Sequence, residues 1–367
     1  MKIAVVGLGT MGLGIAQVYA AAGFDVLAID AMAATRDSAH ERLGTALAQR
    51  VAKGAMSEAD RSGLLGRLCV VDDLAGLAGA DLVIEAIAEA LPAKQALFAD
   101  LERVVGDQAV LATNTSSLSV AAVALGLRVP ERVLGLHFFN PAPAMRLVEL
   151  VAHPGSAPAA LTLARQVTEA AGKVVIACPD RPGFVVNRCA RPFYGEALAL
   201  LEEGRGAGEI DAAMQAAGYR IGPLSLIDLI GADVHLAATQ GVWRGMGQLP
   251  RYRVFAALQD AVAAGRLGRK SGQGFVWPAP PVPAPADAAA IALRIEAVLA
   301  NEAGWLLAEG GVAQHDIDTA LKLGLNFPRG PFEAAGFHGR AVIRDVLVRL
   351  EVLTHYKGRY ELAPFLR

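Results

Sequence analysis

Ile3-Ala4-Val5-Val6 is a continuous apolar run ended by glycines, the pattern of a strand buried on both faces. Gly12 to Ala22 follows with helical spacing and closes at Gly23, a C-cap position. A second apolar run, Val26–Ile29, ends at Asp30. Runs of the same kind predict strands at Leu82–Ile84, Val110–Thr113, Val133–Leu136, Arg146–Val151 and Val174–Ala177. Between them, Pro92–Val105 and Pro158–Ala171 carry helical spacing. Such alternation argues for a parallel sheet wrapped by helices.

One segment interrupts the rhythm. Ala33 to Leu68 is almost wholly helix-forming, broken at Gly54 and at Ser57, an N-cap residue followed by Glu58. This predicts a helical hairpin protruding from the sheet, with one arm ending near Arg50 and Lys53. After Pro182-Gly183 strand signals stop and the chain reads as helical, apart from a proline-rich connector over Pro278–Ala286. The chain beyond the connector repeats the helical stretch before it. Glu196-Ala197 and Glu203-Gly204 recur as Glu302-Ala303 and Glu309-Gly310, Ile210-Asp211 as Ile317-Asp318, and Gly222-Pro223 as Gly330-Pro331. The expected organisation is an α/β domain over residues 1–182 and a helical domain over 183–277. A linker over 278–289 then leads to a second, duplicated helical domain over 290–367.

Composition narrows the class. Hydrophobic residues make up 54% of the 367 and charged residues 19%, the balance of a globular chain. A formal net charge of -2 gives no reason to expect nucleic acid. Cys69, Cys178 and Cys189 have neither metal-ligand spacing nor the even number of a disulfide framework, which suits a reducing compartment. With the first strand predicted from Lys2, no signal or transit peptide is expected, and no apolar run has the length and composition expected of a membrane span. The expected location is cytoplasmic, with no membrane partner.

Gly7-Leu8-Gly9-Thr10-Met11-Gly12 fits G-x-G-x-x-G between a strand and a helix, the dinucleotide fingerprint of a Rossmann-type domain. Gly7 turns the chain, Gly9 lets the backbone approach a pyrophosphate, and Gly12 allows close helix–strand packing. The helix N-terminus, at Thr10 and Met11, attracts the negative charge. Asp30, at the end of the second strand, suits ribose hydroxyls and repels a 2′-phosphate. No basic residue immediately follows it, so NAD is expected over NADP.

His137 stands directly after the strand Val133–Leu136, and Glu149 lies in the next apolar strand. A carboxylate among apolar neighbours needs a partner, and an imidazole N–H is a suitable one. Such a pair fixes the histidine tautomer and stabilises the imidazolium, an arrangement for removing a hydroxyl proton while hydride leaves the carbon. The same two residues also admit a purely structural histidine and a solvated strand end. Asn114-Thr115-Ser116-Ser117, after another strand, reads as a helix cap or as the holder of a substrate oxygen. Asn187 reads as a helix-surface residue or as a group reaching the substrate.

Taken together, Gly7–Gly12, Asn114–Ser117, His137–Pro141, Pro182–Arg188 and Gly268–Gly272 resemble the L-3-hydroxyacyl-CoA dehydrogenase family over essentially the whole chain. Val51–Gly54, His137–Ala142 and Asp316–Ala320 resemble its phenylacetate-catabolism branch. The resemblance implies NAD-dependent oxidation of (S)-3-hydroxyacyl-CoA, of 3-hydroxybutyryl or 3-hydroxyadipyl type, to 3-oxoacyl-CoA. It implies His137 as general base with Glu149 as partner, Ser116 and Asn187 on the 3-oxygen, and Asn140 lining the same site. Glu89, Lys94 and Lys270 match positions that touch NAD, beside Ser116 and Asn140. Lys53, on the hairpin, matches a coenzyme A contact, where a cation suits phosphates. A serine that contacts coenzyme A in short family members aligns with Ala46. Short members dimerise through the helical domain, so the two copies here are expected to pack as an internal pseudo-dimer, with further self-association open. At the repeat spacing Asn187 corresponds to Leu293, which predicts one active site per chain.

Two other readings share the dinucleotide fold: a dehydrogenase of a free hydroxy acid or sugar acid, and a non-catalytic NAD-binding structural protein. If the acyl chain ends in a carboxylate, Arg188 and Arg191 are candidate counter-ions.

Overall fold

Lys2–Val6 (β1) leads through the glycine turn into Thr10–Ala21 (α1), and Asp25–Ile29 (β2) returns parallel to β1. Ala33–Asp37 (α2), Ala39–Ala52 (α3) and Glu58–Gly66 (α4) precede the short strand Leu68–Val70 (β3). Leu82–Glu85 (β4), Leu91–Val104 (α5), Val110–Thr113 (β5), Val120–Ala124 (α6) and Val133–Phe138 (β6) continue the alternation. Leu147–Ala152 (β7), Pro158–Ala170 (α7) and Val174–Pro179 (β8) complete it. The computed structural model describes residues 1–367, and these elements form the first of its two compact units, 1–181 and 182–367.

The eight strands lie in the order β3-β2-β1-β4-β5-β6-β7-β8. The winding reverses between β1 and β4, and the carboxyl ends at such a switch point form the crevice where open α/β sheets take ligands. Ile3, Val5, Val26, Leu82 and Ile84 pack against Ile15 and Tyr19 of α1 in the core. Leu43, Leu47 and Leu64 dock the helical hairpin onto the same core, so its inner face is not free of the sheet domain. Ser57 caps α4 as its sequence predicts, its Oγ accepting from the Asp60 N–H at 3.0 Å.

Three features depart from the sequence expectation. The sheet is parallel from β3 to β6, but β7 runs antiparallel to β6 and β8 follows β7. The 139–146 connection is shorter than the crossover of about a dozen residues that a parallel return requires. β6 runs on to Phe138, so His137 lies inside a strand and not after one. β3, hidden at the end of the helical segment, is only Leu-Cys-Val and gains its conformation by pairing with β2.

The second unit is helical: Val186–Cys189 (α8), Arg191–Glu202 (α9), Ala207–Ala216 (α10), Pro223–Ile230 (α11), Ala232–Gly245 (α12) and Ala256–Ala263 (α13). The connector then enters Ala288–Glu309 (α14), followed by Gln314–Leu325 (α15), Pro331–His338 (α16) and Arg340–Leu353 (α17). No helix is long and apolar enough to cross a membrane.

The repeat has a physical counterpart inside this unit. Arg188 donates from Nε to Glu302 at 2.7 Å and from both Nη atoms to Glu309 at 2.6 and 2.7 Å. Arg294, its counterpart, donates from Nε to Glu196 at 2.7 Å and from both Nη atoms to Glu203 at 2.6 and 2.7 Å. Tyr252 and Arg251 also engage Glu302, as Tyr360 and Arg359 engage Glu196. Each copy gives the other what it receives, the isologous pattern of a two-fold dimer realised within one chain. The repeated Ile-Asp and Gly-Pro pairs are also explained. Asp211 accepts the N–H groups of Leu224 and Ser225 at the start of α11, and Asp318 accepts that of Phe332 at the start of α16. A Cβ at Gly222 or Gly330 would fall within 2.4 Å of those aspartates, so the site demands glycine.

Candidate active site

The glycine turn makes a cradle. Gly7 sits at φ 93°, and a Cβ on Gly12 would lie 1.7 Å from the Gly7 carbonyl oxygen. A Cβ on Gly9, by contrast, would meet no atom, so the space above it is open. No side chain caps α1 at Thr10 and Met11, and its first turn carries no acid. Open space facing uncapped N–H groups fits a diphosphate, and the fold places it at the sheet's switch point. At the lip, Asp30 accepts from the N–H of Leu8 at 2.7 Å and of Met32 at 2.9 Å. Arg36 donates to the Asp30 carbonyl at 2.8 Å and Arg42 to that of Leu8 at 3.0 Å. A search for cations immediately after Asp30 passes over both, because Arg36 lies six residues on, within α2, and Arg42 lies beyond it on α3.

On the neighbouring strands a carboxylate network orders the Asn114–Ser117 turn. Glu85, fully buried, accepts from Lys94 Nζ at 2.5 Å, from Thr113 Oγ at 2.7 Å and from the Ile87 N–H at 2.7 Å. Lys94 is itself buried and reaches Glu89 at 3.4 Å. Glu89 accepts from Thr115 Oγ, the Ser116 and Ser117 N–H groups and Ser117 Oγ. Burial pushes Glu89 up, but these bonds and the Lys94 charge outweigh it and hold the carboxyl below its usual range. Glu89 therefore presents the exposed Ser116, while Lys94 holds carboxylates from beneath. The helix-cap reading of Asn114–Ser117 is corrected: Ser119 caps α6, accepting from the Ala122 N–H at 3.2 Å.

His137 and Glu149 are directly opposed across the antiparallel β6–β7 pair. Nδ1 lies 2.6 Å from Glu149 Oε2, with both side chains buried. Asn114 Oδ1 accepts the Phe138 N–H at 2.8 Å, tying the end of β5 to the strand that carries His137. Asn140 opens the following loop, which Lys173 anchors through the carbonyls of Ala142 and Met145 at 2.6 and 2.8 Å. Glu85 and Lys173 escape a motif search because their partners are distant in sequence or are backbone groups. Lys53 is exposed at the end of α3, where a cation also complements the helix C-terminus.

In the helical unit Asn187 lies on α8, and Lys270 pairs with Asp233 at 2.5 Å. Arg188 is not available as a substrate counter-ion, because Glu302 and Glu309 occupy its guanidinium.

These units match known proteins. The model of the 3-hydroxyacyl-CoA dehydrogenase NAD-binding domain matches residues 2–181. The model of that family's C-terminal domain matches twice, over 183–277 and 291–366. The chain is 46% identical to the 3-hydroxyadipyl-CoA dehydrogenase of Escherichia coli over 278 residues, 75% of this chain and 58% of that relative. It is 40% identical to the 3-hydroxybutyryl-CoA dehydrogenase of Mycobacterium tuberculosis over 75% of this chain and 97% of the relative. A crystal structure of 3-hydroxybutyryl-CoA dehydrogenase from Escherichia coli superposes with a TM-score of 0.94 at 34% identity. It covers 100% of this chain and 97% of its own. With one family model answering the sheet unit and the other answering the helical unit twice over, the chain belongs to the 3-hydroxyacyl-CoA dehydrogenase family, whose cofactor is NAD.

Proposed function

We propose that the chain oxidises the 3-hydroxyl of an (S)-3-hydroxyacyl-CoA thioester with His137 as the general base. NAD supplies the hydride acceptor. The observation that carries the reading is the buried 2.6 Å contact between His137 Nδ1 and Glu149. With Nδ1 committed to the carboxylate, the hydroxyl proton goes to Nε2, and Glu149 stabilises the imidazolium that results. Ser116, presented by Glu89, and Asn187 hold the 3-oxygen as it becomes a carbonyl, and Asn140 lines the same site. Gly7, Gly9, Thr10, Met11, Gly12 and Asp30 seat the dinucleotide, with Glu89, Lys94 and Lys270 completing its surroundings. Lys53 meets the coenzyme A phosphates.

The relatives carry the names of both 3-hydroxyadipyl-CoA and 3-hydroxybutyryl-CoA dehydrogenases, and the chemistry at the 3-carbon is the same for both. The location we infer is cytoplasmic, in keeping with three free thiols. The two helical copies stand in for a dimer interface, so one chain holds one site. The test is His137→Gln assayed by NADH formation with an (S)-3-hydroxyacyl-CoA. Turnover is lost while NAD still binds; full activity in that variant overturns the mechanism.

A further inference from the structure

Leu8, in the middle of the glycine turn, has both of its backbone groups held by side chains from other elements. Its N–H donates to Asp30 Oδ2 at 2.7 Å, and its carbonyl accepts from Arg42 Nη1 at 3.0 Å. Asp30 follows β2, whereas Arg42 comes from α3 of the helical hairpin. The docking of α3 accounts for this reach. Leu43 and Leu47 are buried in the sheet core, which leaves the neighbouring Arg42 exposed beside the turn. Arg42 makes no ion pair, and its bond is to the Leu8 carbonyl, so the rest of its N–H donors stay open to a ligand.

Glycine gives this turn its shape and also its looseness. Gly7 sits at φ 93°, and Gly9 lacks the Cβ that would restrict rotation about its backbone bonds. The Leu8–Gly9 peptide is therefore free to turn unless something outside the loop holds it. A trans peptide is planar, with its C=O and N–H pointing in opposite directions. By fixing the Leu8 carbonyl, Arg42 fixes the direction of the Gly9 N–H on the opposite side. That N–H has no acceptor in the protein, and the space beside Gly9 is open. The bond that holds the peptide is made by a cation, and such bonds are stronger than neutral ones. Order imposed on a loop beforehand need not be supplied when the ligand arrives.

We propose that Arg42 is a positioning residue for the diphosphate of NAD. It sets the Leu8–Gly9 peptide in its binding orientation and places a positive charge beside the turn. This rests on the reading of Gly7–Gly12 as the dinucleotide cradle. The glycines supply N–H groups and space, and the hairpin supplies the anchor that they lack. The hairpin, which its sequence marks as a coenzyme A element through Lys53, thereby serves the cofactor as well. Arg42 and Lys53 are eleven residues apart and both exposed. That spacing is about three helical turns, so the two cations lie along one face of α3 roughly 16 Å apart.

The test is calorimetric titration of the full chain with NAD, comparing wild type, Arg42→Met and Asp30→Ala, which frees the other side of Leu8. Arg42→Met weakens NAD about tenfold, the loss expected for one charge-assisted hydrogen bond. It weakens ADP-ribose, which keeps the diphosphate and lacks the nicotinamide, by the same factor. Raising the salt concentration weakens NAD binding less in Arg42→Met than in wild type, because the variant lacks the charge. A residue that only packs would leave that salt dependence unchanged. In turnover the loss appears in KM for NAD. An Arg42→Met chain that binds NAD as wild type does overturns the proposal, and a weakened Asp30→Ala in the same series leaves the cradle reading standing. Unchanged NAD affinity in both variants sinks the cradle reading and the role of Arg42 with it. A rise in KM for the acyl-CoA with NAD affinity intact also overturns the proposal, assigning the guanidinium to coenzyme A. Arg42 is exposed on α3, so its replacement removes no core contact.

Discussion

Replacing Glu149 by glutamine removes one negative charge from a fully buried position and leaves the volume nearly unchanged. In the resting pair Oε2 lies 2.6 Å from His137 Nδ1. When His137 takes the substrate proton, the imidazolium and carboxylate charges are centred roughly 4 Å apart, worth about 4 kcal/mol at an effective dielectric constant of ~20. A glutamine retains a hydrogen bond, which returns about 1 kcal/mol. The net loss of about 3 kcal/mol appears in the transition state and corresponds to a fall in kcat of about 10²-fold. A glutamine that turns its amide toward Nδ1 imposes the wrong tautomer and deepens the loss. The assay is steady-state NADH formation with saturating NAD and an (S)-3-hydroxyacyl-CoA, alongside calorimetric titration of NAD. Cofactor affinity stays near that of wild type, because Glu149 is held to β6 and β8 and the cradle begins at β1. An unchanged kcat in a folded variant refutes the role of Glu149 as partner of the base.

Asp30→Ala weakens NAD binding and relaxes discrimination against NADP; unchanged preference in a cofactor titration removes Asp30 from the ribose site. Arg188→Met and Arg294→Met each remove one of the two arginines on a buried glutamate, Glu302 or Glu196, and lower stability by about 2–3 kcal/mol in denaturant unfolding, with similar losses because their surroundings correspond; a negligible loss in either refutes the reciprocal lattice. Glu89 has a depressed carboxyl pKa, so its stabilisation is complete above the unfolded value and is lost as pH falls through the folded one; Glu89→Gln therefore flattens the acid limb of stability against pH and raises KM. Calorimetry finds one NAD per chain, and two would restore a site to the second helical copy.

The legible parts of this molecule are those set by short sequence spacing. The glycine turn, the acid at the end of β2 and the apolar strands are each local, and local sterics dictate their conformations. The His137–Glu149 pair is semi-local: twelve residues separate its members, but only the antiparallel turn of β7, which apolar patterning does not encode, puts them on directly opposed positions. The fate of the charged residues was least legible. Lys94 looks like a solvent-facing lysine on α5, yet Glu85 draws it into the interior. Arg188 and Arg191 look interchangeable until α14 supplies Glu302 and Glu309 to one and nothing to the other. A one-dimensional pattern records where a charge is and not which distant charge it will meet.

The two helical copies show what duplication preserved. Arg294, Glu302, Glu309, Asp318 and Tyr360 repeat Arg188, Glu196, Glu203, Asp211 and Tyr252, and every one of them is engaged by a partner within the helical unit. Position 293, next to the retained Arg294, carries leucine where the first copy has Asn187. Burial explains the contrast. Losing either arginine takes a cation from a buried glutamate, Glu302 or Glu196, and from its half-exposed neighbour, whereas a leucine at position 293 takes nothing from them. A second copy held only to the demands of packing keeps its ion pairs and need not keep an asparagine at the position of Asn187. The duplicated half therefore acts as a scaffold for the first copy, holding α8 and α9, and with them Asn187 and Arg191, from the far side of the interface.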